Sequence, residues 1–397
     1  IRTMAEYQPL IATGAGVAAL LALILWARMN AFVALILVAI FSAIAGGMAP
    51  EAALDTVIAG MGGTLGFIAV VIGLGALFGA MLEASGGVTM LADSLMRNRS
   101  VATGRWAMAF IGLMASIPVF FDVAIIILAP LVFATAKSAG RPAMSFGLPL
   151  MGGLVVAHSF IPPTPGPIAV AQIIGADLAS MIFFGLIAGG LAAAVAGPLY
   201  ASLLDRLKAM PASNRKVSMA HAAEATTPVM NAGATAAVIV LPLVLILGGT
   251  LAKTLIAENS AGAAGFLRDC FALIGHPFVA LIIACGAAFL FFRNGTPAQK
   301  ERLSAGLSRA LEPTGAVILV TGAGGAFKQV LVESGAGGQL AEAALGAGMT
   351  PLVAAYVLTL LIRVAQGSAT VAMITGAGLT APFAQAAGLE GPDLALL

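Results

Sequence analysis

The sequence predicts an all-α protein that crosses a membrane several times. Of its 397 residues, 60% are hydrophobic and 9% are charged, whereas a soluble domain carries about 25% charged residues. Apolar runs of about 20 residues, the length that spans a bilayer, recur between short charged loops. A net charge of +2 gives no reason to expect nucleic acid, and the two cysteines lack metal-ligand spacing. We therefore expect a polytopic membrane protein with no metal and no cofactor.

The first half of the chain divides into spans at its charged residues. Ordinary spans are predicted at residues 9–27, 31–48, 59–84 and 178–204. Residues 106–136 are interrupted at Pro118, and a re-entrant hairpin explains this run better than one long tilted helix. Residues 144–172 contain a second interruption, where Pro162, Pro163 and the prolines that follow cannot continue a helix. Residues 205–227 are polar and predict a cytoplasmic linker.

The second half of the sequence repeats the first, so residues 1–204 and 228–397 are predicted to be two structural repeats. Residues 31–37 return at 277–283, a shift of 246. Six further residues, Phe78, Leu82, Ser85, Gly86, Leu91 and Ala92, return 249 positions later as Phe327, Leu331, Ser334, Gly335, Leu340 and Ala341. A second hairpin is therefore expected over residues 351–382. Such repeats are typical of secondary transporters, which bind substrate and coupling ions near the membrane midplane.

The same shift has a consequence for the end of the chain. Added to His158, it leads to a position beyond Leu397, the last residue of the sequence. We therefore expect the protein to continue with a counterpart of the broken helix at residues 144–172.

The basic residues predict the orientation in the membrane. With the N-terminus outside and a re-entrant hairpin at 106–136, the inside loops hold 14 of the 19 Lys and Arg residues. These are Arg28, Arg97, Arg99, Arg105, Lys137, Arg141, Arg206, Lys208, Arg215, Lys216, Arg293, Lys300, Arg302 and Arg309. This bias follows the positive-inside rule. It also makes the two repeats inverted, because residues 31–48 then run outward and their copy runs inward.

Asp122 is the first candidate for coupling transport to protons. It is the only charged residue between Arg105 and Lys137, close to the predicted break at Pro118. An ionisable group at that depth is costly and by default marks a pathway or a binding site. The alternative is a structural carboxylate that accepts hydrogen bonds from nearby backbone amides. His158 precedes the second break and is a further candidate for carrying a proton or contacting substrate, although a packing histidine fits equally well.

Other polar residues near the predicted breaks are candidates for binding an acid. The planar guanidinium of Arg363 suits a carboxylate, although the side chain could instead snorkel to the outer surface. Ser368 and Thr370 could bind hydroxyl groups of a substrate, or could cap and bend their helix.

Five motifs occur in order over nearly the whole chain: SIPVFFDV at 116–123, HSFIPPTPGP at 158–167, LPLVLILGGT at 241–250, GAGGAF at 322–327 and QGSATVA at 366–372. Together they resemble the gluconate permease (GntP) family. The resemblance implies a proton-coupled importer of gluconate or a related sugar acid in the bacterial inner membrane. It also implies a homodimer in which a mobile domain moves in an elevator-like manner. Within and near these motifs we assign substrate binding to Ser116, Pro118, His158, Ser159, Thr164, Arg363, Gln366, Gly367, Ser368 and Thr370, and proton coupling to Asp122 and His158.

Several alternatives remain open at the level of sequence. A related transporter could carry glycerate or D-serine, and sodium could replace the proton. An ion channel would need a continuous polar pore lining, whereas the polar residues within the spans are few and scattered. A hydrolase would need a nucleophile facing a base, but the adjacent His158 and Ser159 do not face one another on a helix. We therefore expect a transporter, whose partners are a small acid, protons and membrane lipid, rather than an enzyme.

Overall fold

A computed structural model shows the chain as a bundle of α-helices. It describes residues 8–96, 99–117, 121–210, 228–256, 262–335, 339, 350–366, 369–390 and 392–396. No β-strand occurs in these ranges. The all-α membrane class predicted from composition is confirmed.

Eighteen described helices follow one another along the chain. They are α1 (Gln8–Leu25), α2 (Ala31–Ala45), α3 (Pro50–Ala84), α4 (Gly87–Met96), α5 (Val101–Ser116), α6 (Phe121–Ser138), α7 (Met144–Phe160), α8 (Pro165–Ile174), α9 (Leu178–Ala194), α10 (Tyr200–Arg206), α11 (Ala232–Leu255), α12 (Ala263–Ile274), α13 (Pro277–Phe291), α14 (Pro297–Ala310), α15 (Glu312–Glu333), α16 (Pro351–Gln366), α17 (Ala369–Ala386) and α18 (Pro392–Leu396). A π-helical turn, Val195–Leu199, joins α9 to α10 and contains Pro198.

Five helical runs among the described residues are long and apolar enough to cross a bilayer. They are Pro50–Ala84, Met144–Ile174, Leu178–Arg206, Ala232–Leu255 and Pro297–Glu333. A sixth is possible if α12 and α13, which are bent by 70°, form one span. These runs identify a multi-pass membrane protein.

Two predicted spans differ in length from the helices observed. Helix α2 ends at Ala45 rather than at residue 48, because Gly46 caps it and Gly47 adopts a φ of +100°, which favours glycine. Helix α3 begins at Pro50 rather than at residue 59. The charged residues of its first turns misled the sequence analysis, whereas proline at the first helical position is a strong start signal.

The helix ends coincide with the predicted interruptions. Helix α5 ends at Ser116 and α6 begins at Phe121, while Pro118 itself lies outside the described residues. Helix α7 ends at Phe160 and α8 begins at Pro165, so residues 161–164 separate the two helices. Helix α10 continues to Arg206, and residues 211–227 of the predicted linker lie outside the described part of the chain.

Corresponding helices of the two halves have the same order and similar lengths. Helices α2 and α13 each have 15 residues, α5 and α16 each have 16, and α6 and α17 each have 18. Helix α3 has 35 residues, and the run Pro297–Glu333 formed by α14 and α15 has 37. The shift between the starting residues is 246 to 250, as in the sequence comparison.

The chain divides into two compact units. The first comprises residues 1–70, 165–181 and 313–397, and the second comprises residues 71–164 and 182–312. The break after α7 separates them along the chain, since α7 belongs to the second unit and α8 to the first.

Helix α7 lies at the centre of the second unit, with glycines on two of its sides. A Cβ atom at Gly153 would overlap the carbonyl oxygen of Ala109 and lie 2.9 Å from the Leu113 nitrogen in α5. On another side, a Cβ atom at Gly152 would lie 3.1 Å from Gly197 in the π-helical turn. The small residues therefore let three backbones approach closely, as is common in membrane helix bundles.

The glycine contacts also give the direction of packing in the second unit. Gly104 near the start of α5 lies against Phe146 near the start of α7. Eight residues later, Gly112 lies against Gly153 and Leu154. Helices α5 and α7 therefore run parallel.

The first unit is built around α3, α15, α8 and α17. Thr56 of α3 donates a 2.5 Å hydrogen bond to Glu333, near the end of α15. At the other end of the contact, Gly322 of α15 lies against Leu65 of α3. Helices α3 and α15 therefore run antiparallel. The Gly322–Gly325 run permits close helix packing, because a Cβ atom at Gly325 would overlap the Thr64 side chain.

Candidate functional site

Two helix N-termini meet in the first unit. Helix α8 begins at Pro165 and α17 begins at Ala369, and the two helices pack together. A Cβ atom at Gly166 would lie 3.8 Å from the Thr370 Cα atom and would overlap the end of the Met373 side chain. The first turns of both helices are therefore in contact. Because the N-terminus of a helix carries a partial positive charge, two adjacent N-termini favour an anion.

Arg363 also belongs to this unit, in the last turn of α16. It lies 12 residues after Pro351, which corresponds to about 18 Å along a helix. An arginine side chain does not reach that far, so Arg363 cannot snorkel to a surface at the start of α16. A cation in a last turn is also favoured by the helix dipole, so Arg363 has a structural role beside any role in binding.

Two predicted site residues lie at the same level of the second unit. Gly104 and Gly112 of α5 contact residues of α7 that come about 42 positions later in the chain. Because the two helices run parallel, the same spacing puts Ser116 level with His158. Ser116 is completely buried and its Oγ atom has no hydrogen-bond partner among the described residues. His158 and the adjacent Ser159 are half-buried in the last turn of α7. A buried hydroxyl without a protein partner is costly, so Ser116 is suited to receive a polar ligand or water.

The remaining predicted residues lie at the breaks. Asp122 is the second residue of α6, and Thr370, which is buried, is the second residue of α17. Gln366 is the last residue of α16. The hydroxyl of Thr164 donates a 2.7 Å hydrogen bond to the Ile161 carbonyl, which stabilises the turn between α7 and α8. Two further predicted residues, Gly367 and Ser368, lie outside the described residues.

A cluster of charges lies at the start of α5. Arg105 is 5% exposed, and it donates hydrogen bonds to Asp205 Oδ2 (3.0 Å) and to Ser202 Oγ (3.2 Å). Arg141, in the turn between α6 and α7, donates to the other carboxylate oxygen of Asp205 at 3.1 Å. One carboxylate therefore holds the residues that precede and follow the segment 106–136. We call Arg105, Asp205 and Arg141 the basic cluster.

The sequence analysis missed two of these features. The first is the start of α8. Gly166 stands between Pro165 and Pro167, and a proline at the first helical position signals a helix start. The second is the basic cluster, which joins residues up to about 100 positions apart. The sequence links their loops only through the prediction that they lie on the same side of the membrane.

Apolar helices interrupted by breaks, with buried polar side chains and helix N-termini at the breaks, are typical of membrane transport proteins. The chain belongs to the GntP family of permeases, whose model, described as GntP family permease, matches residues 8–397.

Three similar proteins of this family have names that refer to sugar acids. The low-affinity gluconate transporter of Escherichia coli K12 is 37% identical over 391 residues, which cover 98% of this chain and 85% of that protein. The gluconate permease of Pseudomonas aeruginosa is 35% identical over 364 residues, covering 91% of this chain and 80% of the relative. The Gnt-II system L-idonate transporter of Escherichia coli K12 is 34% identical over 376 residues, covering 95% and 84%.

Proposed function

We propose that this chain imports gluconate or a closely related sugar acid, together with protons, across a bacterial inner membrane. Family membership supports transport, and the relatives named for gluconate and L-idonate support the substrate class. Gluconate and idonate share a carboxylate and a chain of hydroxyl groups. That shared chemistry favours a sugar acid over glycerate or D-serine.

The meeting of the α8 and α17 N-termini is the observation that carries the proposal. The contact at Gly166 and Thr370 brings the positive ends of two helix dipoles to one point of the first unit. We assign the substrate carboxylate to this point, since broken helices of transporters direct their N-termini at anionic groups. Arg363 adds a full positive charge in the neighbouring helix α16, and Thr370 supplies a hydroxyl group for the sugar chain.

The packing of the helices supports two re-entrant hairpins. Helix α5 could not run parallel to α7 if residues 106–136 formed one continuous crossing, because α7 would then return in the opposite direction. The basic cluster also holds both ends of this segment at one carboxylate. Helices α16 and α17, the counterparts of α5 and α6, form the second hairpin of the proposal.

The antiparallel contact of α3 with α15 supports inverted repeats. These helices correspond to one another in the two halves, and a two-fold axis in the membrane plane would give them opposite directions. We propose repeats over residues 1–204 and 228–397, a cytoplasmic linker at 205–227 and a periplasmic N-terminus. A homodimer with an elevator-like mobile domain completes the proposal, on the basis of the family resemblance.

Asp122 is the proposed proton carrier. It lies 16 residues before Ser138, the end of α6, which is about 24 Å along a helix and therefore deep in the bilayer. Its counterpart Thr370 occupies the same second position of α17 and cannot titrate. The two hairpins therefore differ in chemistry, and only the first can carry a proton at this position.

Uptake by the purified chain in proteoliposomes tests the proposal. Labelled gluconate should accumulate against its gradient when an inward proton gradient is imposed. Asp122→Asn should abolish this accumulation but retain exchange between equal pools, because exchange needs no net release of protons. Accumulation that survives in Asp122→Asn would assign the proton to another group, with His158 tested next. Absence of both gluconate uptake and exchange in the unaltered chain would reject the substrate class.

A further inference from the structure

A second charged site lies at the basic cluster, away from the helix breaks. Helix α10 carries Asp205, and the segments joined to that carboxylate contain five basic residues: Arg105, Lys137, Arg141, Arg206 and Lys208. Lys137 is close to Arg141, because Gly140 turns the chain back and donates a hydrogen bond to the Lys137 carbonyl. These segments therefore carry five positive charges and one negative charge, an excess of four.

An exposed apolar surface adjoins these charges. Leu199, Leu203 and Leu207 are spaced four residues apart along the π-helical turn and α10, so they share one face. All three are more than half exposed, and we call them the leucine row. Trp106 follows the buried Arg105 and is 50% exposed, and Tyr200 is exposed beside the leucine row. Tryptophan and tyrosine concentrate where a membrane meets water. A row of exposed leucines beside these aromatic residues is therefore suited to contact acyl chains close to the headgroup level.

Arg141 has donors left for a ligand. Its side chain is 44% exposed and uses only one guanidinium nitrogen for Asp205, and the other nitrogens have no partner among the described residues. The planar guanidinium binds phosphate oxygens in pairs. Basic pockets at the cytoplasmic ends of membrane helices bind anionic headgroups for the same reason.

We propose that this surface is a binding site for one anionic phospholipid, with the headgroup phosphate on Arg141 and an acyl chain along Leu199, Leu203 and Leu207. A soluble phosphate would use the same nitrogen donors, but the exposed leucines would then contribute nothing. The site thus combines charge complementarity with a surface for the lipid chain. It lies entirely within the second unit and does not depend on the identity of the transported acid.

Trp106 provides a direct test, because the chain contains only one other tryptophan, Trp26. The full chain with Trp26→Phe is reconstituted into phosphatidylcholine vesicles that contain a small, equal share of brominated phosphatidylglycerol or brominated phosphatidylcholine. Bromine quenches a neighbouring tryptophan. We expect the brominated phosphatidylglycerol to quench Trp106 more strongly than the brominated phosphatidylcholine. The ratio of the two lipid affinities should fall about fivefold in Arg141→Gln.

Controls separate this site from general attraction of anionic lipid. Arg293→Gln removes an exposed basic residue from another segment and should leave the ratio unchanged, whereas Lys208→Gln should lower it. Equal quenching by the two lipids, or an equal loss in Arg293→Gln, would overturn the proposal. Inorganic phosphate at matched ionic strength should not remove the excess quenching. If it does, a soluble phosphate is the ligand and the lipid site is rejected.

Discussion

Gly153 allows a quantitative test of the packing of α7. In Gly153→Ala the added methyl group would overlap the Ala109 carbonyl oxygen and lie 2.9 Å from the Leu113 nitrogen, both in the backbone of α5. Backbone atoms cannot rotate away as a side chain can, so α5 and α7 must separate. Overpacking of this kind costs about 1–3 kcal/mol, while the higher helix propensity of alanine returns about 1 kcal/mol.

Gly190→Ala in α9 is the matched control, because a Cβ atom at that position finds no other atom within 4 Å. It keeps the gain in propensity without the packing loss, so the two variants should differ by about 1–3 kcal/mol in the free energy of unfolding. For a unit of this size, each kcal/mol shifts the Tm by about 2–4 °C. Thermal unfolding of both purified variants in one detergent measures this difference. Equal Tm values would refute the close approach of α5 and α7.

Three further predictions concern anion binding, topology and the basic cluster. Arg363→Ala should weaken gluconate binding by about 1.5–3 kcal/mol, and Arg363→Lys should restore only part of it, because lysine lacks the planar fork. Calorimetry or a ligand-induced thermal shift measures this loss, and unchanged affinity would reject the assignment. Cysteines at Ser138 and Ser213 should both be labelled from the cytoplasm, and periplasmic labelling of Ser138 would reject the first hairpin. Arg105→Gln should lower the free energy of unfolding by about 1–3 kcal/mol, because it removes two hydrogen bonds of a buried side chain. Arg141→Gln should lower it by at most about 1 kcal/mol, because Arg141 is half-exposed. Equal Tm losses in these two variants would contradict the burial of Arg105.

The breaks in the helices could be predicted from the sequence because proline acts locally. Pro118 and the run beginning at Pro162 each remove backbone donors, and the helices end at Ser116 and at Phe160. The repeat was also visible, since corresponding residues keep one spacing. These features depend on the chemistry of a few neighbouring residues or on a comparison of the chain with itself.

Contacts between distant helices could not be predicted in the same way. Gly166 and Thr370 are 204 positions apart, and no spacing in the sequence indicates that the first turns of α8 and α17 touch. Glycine permits a close approach without specifying its partner. The bond from Arg105 to Asp205 was hidden for a different reason, because the positive-inside rule counts basic residues on one side and ignores which acid they contact.

The π-helical turn at Val195–Leu199 determines how α10, which follows it, is rotated about its own axis. Such a turn is equivalent to one residue inserted into an α-helix, and each residue rotates the helix by about 100°. Deleting one residue from this turn would restore a regular α-helix and swing Asp205 about a quarter of a turn or more away from Arg105. The leucine row would rotate with it. The single extra residue thus works as an angular spacer that aligns the acid with its buried base.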